Sequence, residues 1–177
     1  MRSRNFIKSN REIIVIAHNI RSILNVGAIL RTSEGFGAKQ VFATGYSPNL
    51  ECATDGSNAK LLPHVRDKLI REFHKSALGA EEIVDFHFAP NIFELINNLR
   101  ENNFRIVGLE QDKKSILLSD YEVPDKVAIL LGEEVNGIAP ELREMCDDLV
   151  EIPMFGRKES FNVSVAAGIA LYELSQK

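Results

Sequence analysis

The 177 residues are 45% hydrophobic with a formal net charge of −4, which suits one globular domain over 1–177 and leaves no room for a second full-size module. That balance excludes a protein that meets polyanions with its whole surface. The charge is uneven, however: residues 1–75 carry 12 Lys and Arg against 6 Asp and Glu, and residues 76–177 carry 9 against 19, so either one face is basic or these are ordinary solvated side chains.

The chain opens on a basic tail over 1–12, with Arg2, Arg4, Lys8 and Arg11. It lacks the apolar stretch and small-residue cleavage site of a secretory signal, which places the protein in the cytoplasm. Ile13 to Ala17 reads as a buried strand, Val26 to Phe36 as a helix and Gln40 to Thr44 as a second strand, together a β-α-β unit. Ser47 to Lys60 follows as a long turn-rich loop, a kind of segment that is often functional. Further strands are predicted at Ile83–Phe88, Phe104–Gly108, Val127–Leu131 and about Glu151, with helices at Ile92–Asn102, Pro140–Cys146 and Asn162–Ser175. This alternation gives an α/β fold, a mainly parallel sheet with helices on both faces. The longest apolar stretch, Phe161 to Tyr172, is too short and too polar at its start to span a bilayer. Cys52 and Cys146 lack paired spacing and read as free thiols, and His18, His64, His74 and His87 show no ligand spacing, so no metal is expected.

Three segments carry candidate chemistry. In Asn25-Val-Gly-Ala-Ile-Leu-Arg31, Val26, Ile29 and Leu30 form the apolar stripe, and Arg31 lies roughly 140° from Val26 and so points away from the core. Arg31 is then a solvent-exposed or salt-bridged arginine or a functional one, and Asn25 is a helix N-cap or a site residue. In Val127-Ala-Ile-Leu-Leu-Gly-Glu-Glu-Val-Asn-Gly137 an apolar strand ends at Gly132 and runs into Glu133, Glu134 and Asn136 before Pro140 opens a short helix. Ligands of open α/β sheets sit at such carboxyl ends of strands, although a plain strand-to-helix turn has the same look. The segment is neither a P-loop nor a dinucleotide fingerprint. In Glu151-Ile-Pro-Met-Phe-Gly-Arg-Lys-Glu-Ser-Phe-Asn-Val-Ser-Val165, Ser160, Asn162 and Ser164 stand at the mouth of a helix that is apolar nearly all round and reads as buried. They either cap that helix or bind a ligand. Ser160 lacks the G-x-S-x-G elbow of a serine hydrolase.

In this order and spacing the three segments, with Ser76-Ala-Leu-Gly-Ala80 between them, resemble the motifs of the SPOUT superfamily, in its TrmH-like branch of tRNA and rRNA ribose 2′-O-methyltransferases. The resemblance runs from about Ile13 to Glu173. It implies a C-terminal deep trefoil knot and S-adenosyl-L-methionine as cofactor, held by backbone groups around Leu131, Gly132, Ile152, Met154 and Phe161, and by Asn162. Phe161 stands where the family usually has Leu. It also implies that Asn25, Arg31, Glu134, Ser160 and Asn162 occupy the polar active-site positions, and that the protein works as a homodimer on RNA. In the family the arginine matching Arg31 is the proposed general base. A guanidinium is permanently protonated, so a role pairing with phosphate and stabilising the developing alkoxide is less demanding. Arg31, the basic tail and the cluster Lys60, Arg66, Lys68, Arg71 and Lys75 are the candidate RNA contacts. The alternatives are a non-catalytic knotted domain that binds RNA or a nucleoside, and a SPOUT enzyme that methylates a base.

Overall fold

The computed structural model describes residues 11–48 and 63–176. Among these, seven strands form one sheet: β1 (Glu12–His18), β2 (Gln40–Thr44), β3 (Asp85–Ala89), β4 (Arg105–Leu109), β5 (Ile116–Leu117), β6 (Lys126–Leu131) and β7 (Asp148–Glu151). Their spatial order is β3-β2-β1-β6-β4-β7-β5, and every pairing is parallel. β1 and β6 lie side by side near the middle, with Val15 opposite both Val41 and Ile129. A strand covered on both faces needs apolar side chains at every position, which is why Ile13–Ala17 and Val127–Leu131 are unbroken apolar runs.

The helices are α1 (Ile23–Gly35), α2 (Pro63–Ala77), α3 (Ile92–Glu101), α4 (Pro140–Glu144) and α5 (Val163–Gln176). One face of the sheet, carrying Ile13, Val15, Val127 and Ile129, packs against Val26 and Leu30 of α1, Phe73 of α2 and Leu171 of α5. The other, carrying Ile14, Ile16, Ala128 and Leu130, packs against Ile96 of α3 and Leu142 of α4. The expected mainly parallel sheet with helices on both faces is therefore present.

Four differences from the sequence reading have physical causes. α1 begins at Ile23, not near Asn25, because the Ser22 side chain caps it and accepts from Asn25 N at 3.3 Å. Asn25 is thereby released from capping. α2 was missed: its apolar positions Val65, Leu69, Phe73 and Ala77 recur every four residues, but nine charged, histidine or other polar side chains obscure them. β5 has two residues and carries no periodicity to read. α5 is not buried all round; Ala167, Ala170, Leu171 and Leu174 face the core, while Val165 and Tyr172 are 50% and 52% exposed. The loop expected at Ser47 to Lys60 lies, beyond Pro48, outside the described residues. None of the described helices is long and apolar enough to cross a membrane.

Candidate active site

The carboxyl ends of β4, β6 and β7 open together into a cavity of about 290 Å³, at the small end of the range for ligand pockets. Its walls are Leu109, Glu110 and Gln111 at the end of β4, the segment Leu131–Gly137 at the end of β6, Glu151 and Ile152 at the end of β7, and Glu159, Ser160, Phe161, Val163 and Ala166 where the chain enters α5. Leu131, Gly132, Glu134, Ile152, Ser160 and Phe161, six of the residues singled out in the sequence, thus line one cavity. Met154 does not line it. β7 ends at Glu151, and Met154 comes after Pro153, where the chain is leaving the sheet.

The loop after β6 is built by close backbone approach. Glu133 N donates to Gly137 O at 3.0 Å and Gly137 N to Glu133 O at 2.9 Å. A Cβ on Gly132 would lie 2.4 Å from the Gly137 carbonyl carbon and 2.6 Å from Ile138 N, so this position admits no side chain. Gly137 has φ +67, a conformation that favours glycine. Glu110, at the end of β4, secures the loop from the side: its Oε2 accepts from Ile138 N at 2.6 Å and its Oε1 from Gln111 N at 3.0 Å. Glu110 was not among the sequence candidates. The only signal available was its place directly after an apolar strand, which many surface acids share.

At the lip of the cavity the three motifs meet. Asn25 Nδ2 donates to Glu134 Oε1 at 3.2 Å, and Asn162 Nδ2 donates to Asn25 Oδ1 at 3.2 Å. Glu134 Oε2 also accepts from Arg21 N at 3.3 Å. Asn162 caps α5 as well, its Oδ1 accepting from Ser164 N at 2.9 Å, as the capping reading expects. Arg21 pairs with Glu133 at 2.6 Å. Hydrogen bonds from Asn136 and Tyr46, together with the Arg21 charge, hold the Glu133 carboxyl below the usual carboxylate range.

Arg31 is exposed on α1, outside the residues that line the cavity, and has no ion pair among the described residues. Arg66, Lys68, Arg71 and Lys75 are all exposed on α2. At 100° per residue Lys68, Arg71 and Lys75 fall within about 60° of one another and Arg66 stands apart. Lys68 reaches Glu72 at 3.8 Å. Arg11 is half-buried just before β1, and Arg2, Arg4, Lys8 and Lys60 lie outside the described residues. Cys146 is a free, partly buried thiol whose burial pushes it up to about 12, which makes it a poor nucleophile. Among the described residues no group of three or more His, Cys, Asp or Glu is placed to hold a metal ion.

Residues 51–172 match the SpoU rRNA Methylase family. The chain belongs to that family. It is 34% identical over 165 residues to the 23S rRNA (guanosine-2′-O-)-methyltransferase RlmB of Neisseria meningitidis, covering 93% of this chain and 58% of that one. It is 33% identical over 150 residues to RlmB of Acinetobacter baylyi, covering 84% and 53%. The chain therefore spans a little over half the length of these relatives. Against the tRNA (guanosine(18)-2′-O)-methyltransferase of Aquifex aeolicus it is 26% identical over 170 residues, covering 96% of this chain and 72% of that one. The crystal structure of the A. aeolicus TrmH/SpoU tRNA modifying enzyme superposes with a TM-score of 0.74, covering 95% of this chain and 77% of that one. The sheet and its helices are thus those of the TrmH-like SPOUT fold.

Proposed function

We propose that this protein transfers a methyl group from S-adenosyl-L-methionine to a ribose 2′-hydroxyl of tRNA or rRNA. The observation that carries the proposal is the convergence of Asn25 with Glu134 and Asn162, which follow it by 109 and 137 residues along the chain, at the lip of a cavity closed by three strand-end loops. Membership of the SpoU family sets the reaction class, and the relatives named above methylate guanosine 2′-oxygens.

The residues present fit the cofactor. Leu109, Leu131, Ile152, Val163 and Ala166 offer apolar walls for a flat heterocycle, the absent side chain of Gly132 leaves backbone at the cavity surface, and Glu110, Glu133, Glu134, Glu151 and Glu159 line it with acidic groups. That potential suits a ligand bearing a sulfonium and an ammonium. When bound, the cofactor supplies an activated methyl on a cationic sulfur.

The chain's own part is alignment and charge. Glu134 holds Asn25 in one orientation and Asn25 in turn is tied to Asn162, so the two amides present fixed polar groups to a ribose. The Arg31 guanidinium pairs with a backbone phosphate and stabilises the alkoxide as it develops, and phosphate or water takes the proton. Ser160 lies on the cavity wall within the same segment as Asn162. The stripe of Lys68, Arg71 and Lys75 meets further phosphates, an interaction that weakens as salt rises. Val165 and Tyr172 of α5, with Phe161 and Leu24, are exposed apolar side chains that fit a two-fold dimer, and the C-terminal segments form the knot of the family. The reading places the protein with its RNA in the cytoplasm.

The test is transfer of radiolabelled methyl from S-adenosyl-L-methionine to undermodified tRNA and, separately, rRNA. Label recovered as a 2′-O-methylnucleoside from one pool supports the proposal and names the substrate class. Label on a base assigns the base-methylating alternative, and RNA binding with no transfer to either pool assigns the non-catalytic one. Sedimentation as a monomer at micromolar concentration removes the dimer.

A further inference from the structure

The turns that follow β1 and β2 hold an aromatic ring and a guanidinium in a fixed arrangement that the chemistry above does not use. Tyr46 is 51% exposed, and the Arg21 side chain, 67% exposed, places its guanidinium carbon 6.0 Å from the ring centroid. An exposed tyrosine alone means little. Here the backbone beneath it is constrained. Asn19 adopts φ +56 and Gly45 φ +65, Asn19 Oδ1 accepts from Tyr46 N at 3.2 Å, and a Cβ on Gly45 would fall 2.0 Å from that same oxygen. A non-glycine residue in the left-handed region is uncommon and costs energy that the surroundings must offset.

Charge decides what the pair receives. Arg21 is neutralised by Glu133 at 2.6 Å, and Glu134 lies against its backbone at 3.3 Å, so a phosphate would meet a negative rim. A neutral flat group meets instead the half-exposed ring and, beside it, the guanidinium that lies over one of its faces. The same contact to Glu134, which bonds Asn25 at 3.2 Å, makes the pair continuous with the corner where the ribose is proposed to sit. Unstacked RNA bases are characteristically taken up on aromatic and arginine planes.

We infer that Tyr46 and Arg21 form a stacking platform for the base of the nucleotide whose ribose is methylated. The inference rests on the RNA-directed reading of this site, and a binding readout separates the two. The probe is a five-nucleotide RNA whose central 2-aminopurine is its only base, compared with the same backbone carrying none. With the full chain, 2-aminopurine fluorescence should be quenched on binding, and Tyr46→Ala should weaken that binding about tenfold. Tyr46→Phe should bind and quench as the native protein does, and the base-free RNA should bind all three alike. Equal binding and quenching by Tyr46→Ala, or an equal loss for the base-free RNA, overturns the platform. Tyr46-dependent stacking without methyl transfer to any RNA removes the enzyme and keeps the platform; transfer with an unchanged KM for RNA in Tyr46→Ala removes the platform and keeps the enzyme.

Discussion

The two ends of the parallel sheet use charge in opposite ways. At the amino ends of the strands, cations and anions are matched across neighbours. Glu12 of β1 takes Lys39 at 2.5 Å and Lys126 at 3.6 Å. Arg105 of β4 grips Asp148 of β7 through two bonds of 2.5 and 3.0 Å, and Tyr121 Oη donates to the same carboxylate at 2.9 Å. Asp147 accepts from Ile106 N at 2.7 Å and from Arg100 at 3.0 Å. At the carboxyl ends, acids line a cavity and Arg21 alone among the described cations pairs with them. Charge at one end fixes strand register, and at the other it leaves a negative surface for a cationic ligand. The contrast separates residues whose loss should damage the fold from those whose loss should damage only the chemistry.

The largest effect is expected where chemistry alone is touched. Arg31→Ala should lower methyl transfer by a factor on the order of 10² to 10³, as losing one electrostatic donor does, with an unchanged Tm because Arg31 is exposed and outside the ion-pair ladders. Arg31→Lys should not restore it, since an ammonium lacks the planar fork. Near-native turnover in Arg31→Ala would remove Arg31 from the mechanism.

Gly132→Ala should affect both properties. The added methyl has no space against Gly137 and Ile138, so the loop must shift, costing about 1–3 kcal/mol of stability and roughly 10²-fold in transfer if the site moves by an ångström. Denaturant melts and turnover measured on one preparation would show whether the two losses come together.

At the opposite end, Asp148→Ala should cost about 1.5–3 kcal/mol through its charged hydrogen bonds and leave turnover per folded molecule unchanged. Asp148 also supplies a pH test. Its hydrogen bond to Arg105, and then the one from Tyr121, depress its carboxyl below the ordinary value. Its contribution is therefore fully present above the unfolded carboxylate range and disappears as pH falls through the folded value. The native Tm should drop on acidification through that window, and Asp148→Asn should show a shallower slope.

The smallest effect concerns His18, at the carboxyl end of β1, whose Nδ1 lies 2.8 Å from Thr44 Oγ1. Burial holds this imidazole below its ordinary value. Folding then favours the neutral ring, so stability should be level above the ordinary imidazole range and decline as pH falls through it. A two-dimensional NMR titration in which His18 protonates at or above the free-histidine value would contradict this.

Most of the fold was legible because buried parallel strands leave an unmistakable trace: β2 has the bounds read from sequence, and β1, β4 and β6 differ by a residue or so at their ends. Of the candidate site, Gly132, Glu134, Asn25 and Asn162 were brought together in the sequence only by family motifs, since nothing in their local patterns links positions so distant. Glu110 was not, because its role arises from meeting the backbone of Ile138, 28 residues away. Nor was the Tyr46 and Arg21 pair, which depends on left-handed backbone at Asn19 and Gly45. The exposed side of α5 was misread for a different reason: an apolar helix surface looks the same in sequence whether it packs into the core or stays exposed.

The pairing of β1 with β6, Glu12 opposite Lys126, sets a timetable for synthesis. At about 5–20 residues per second, the first strand emerges from the ribosome roughly 6–23 s before its central neighbour exists. Its unbroken apolar surface and unpaired edge must wait through that interval, and Asn25 waits longer still for Asn162. The candidate site is thus assembled only once the segment bearing Asn162 has been made, and until then the unpaired first strand is the part of the chain most exposed to misassembly.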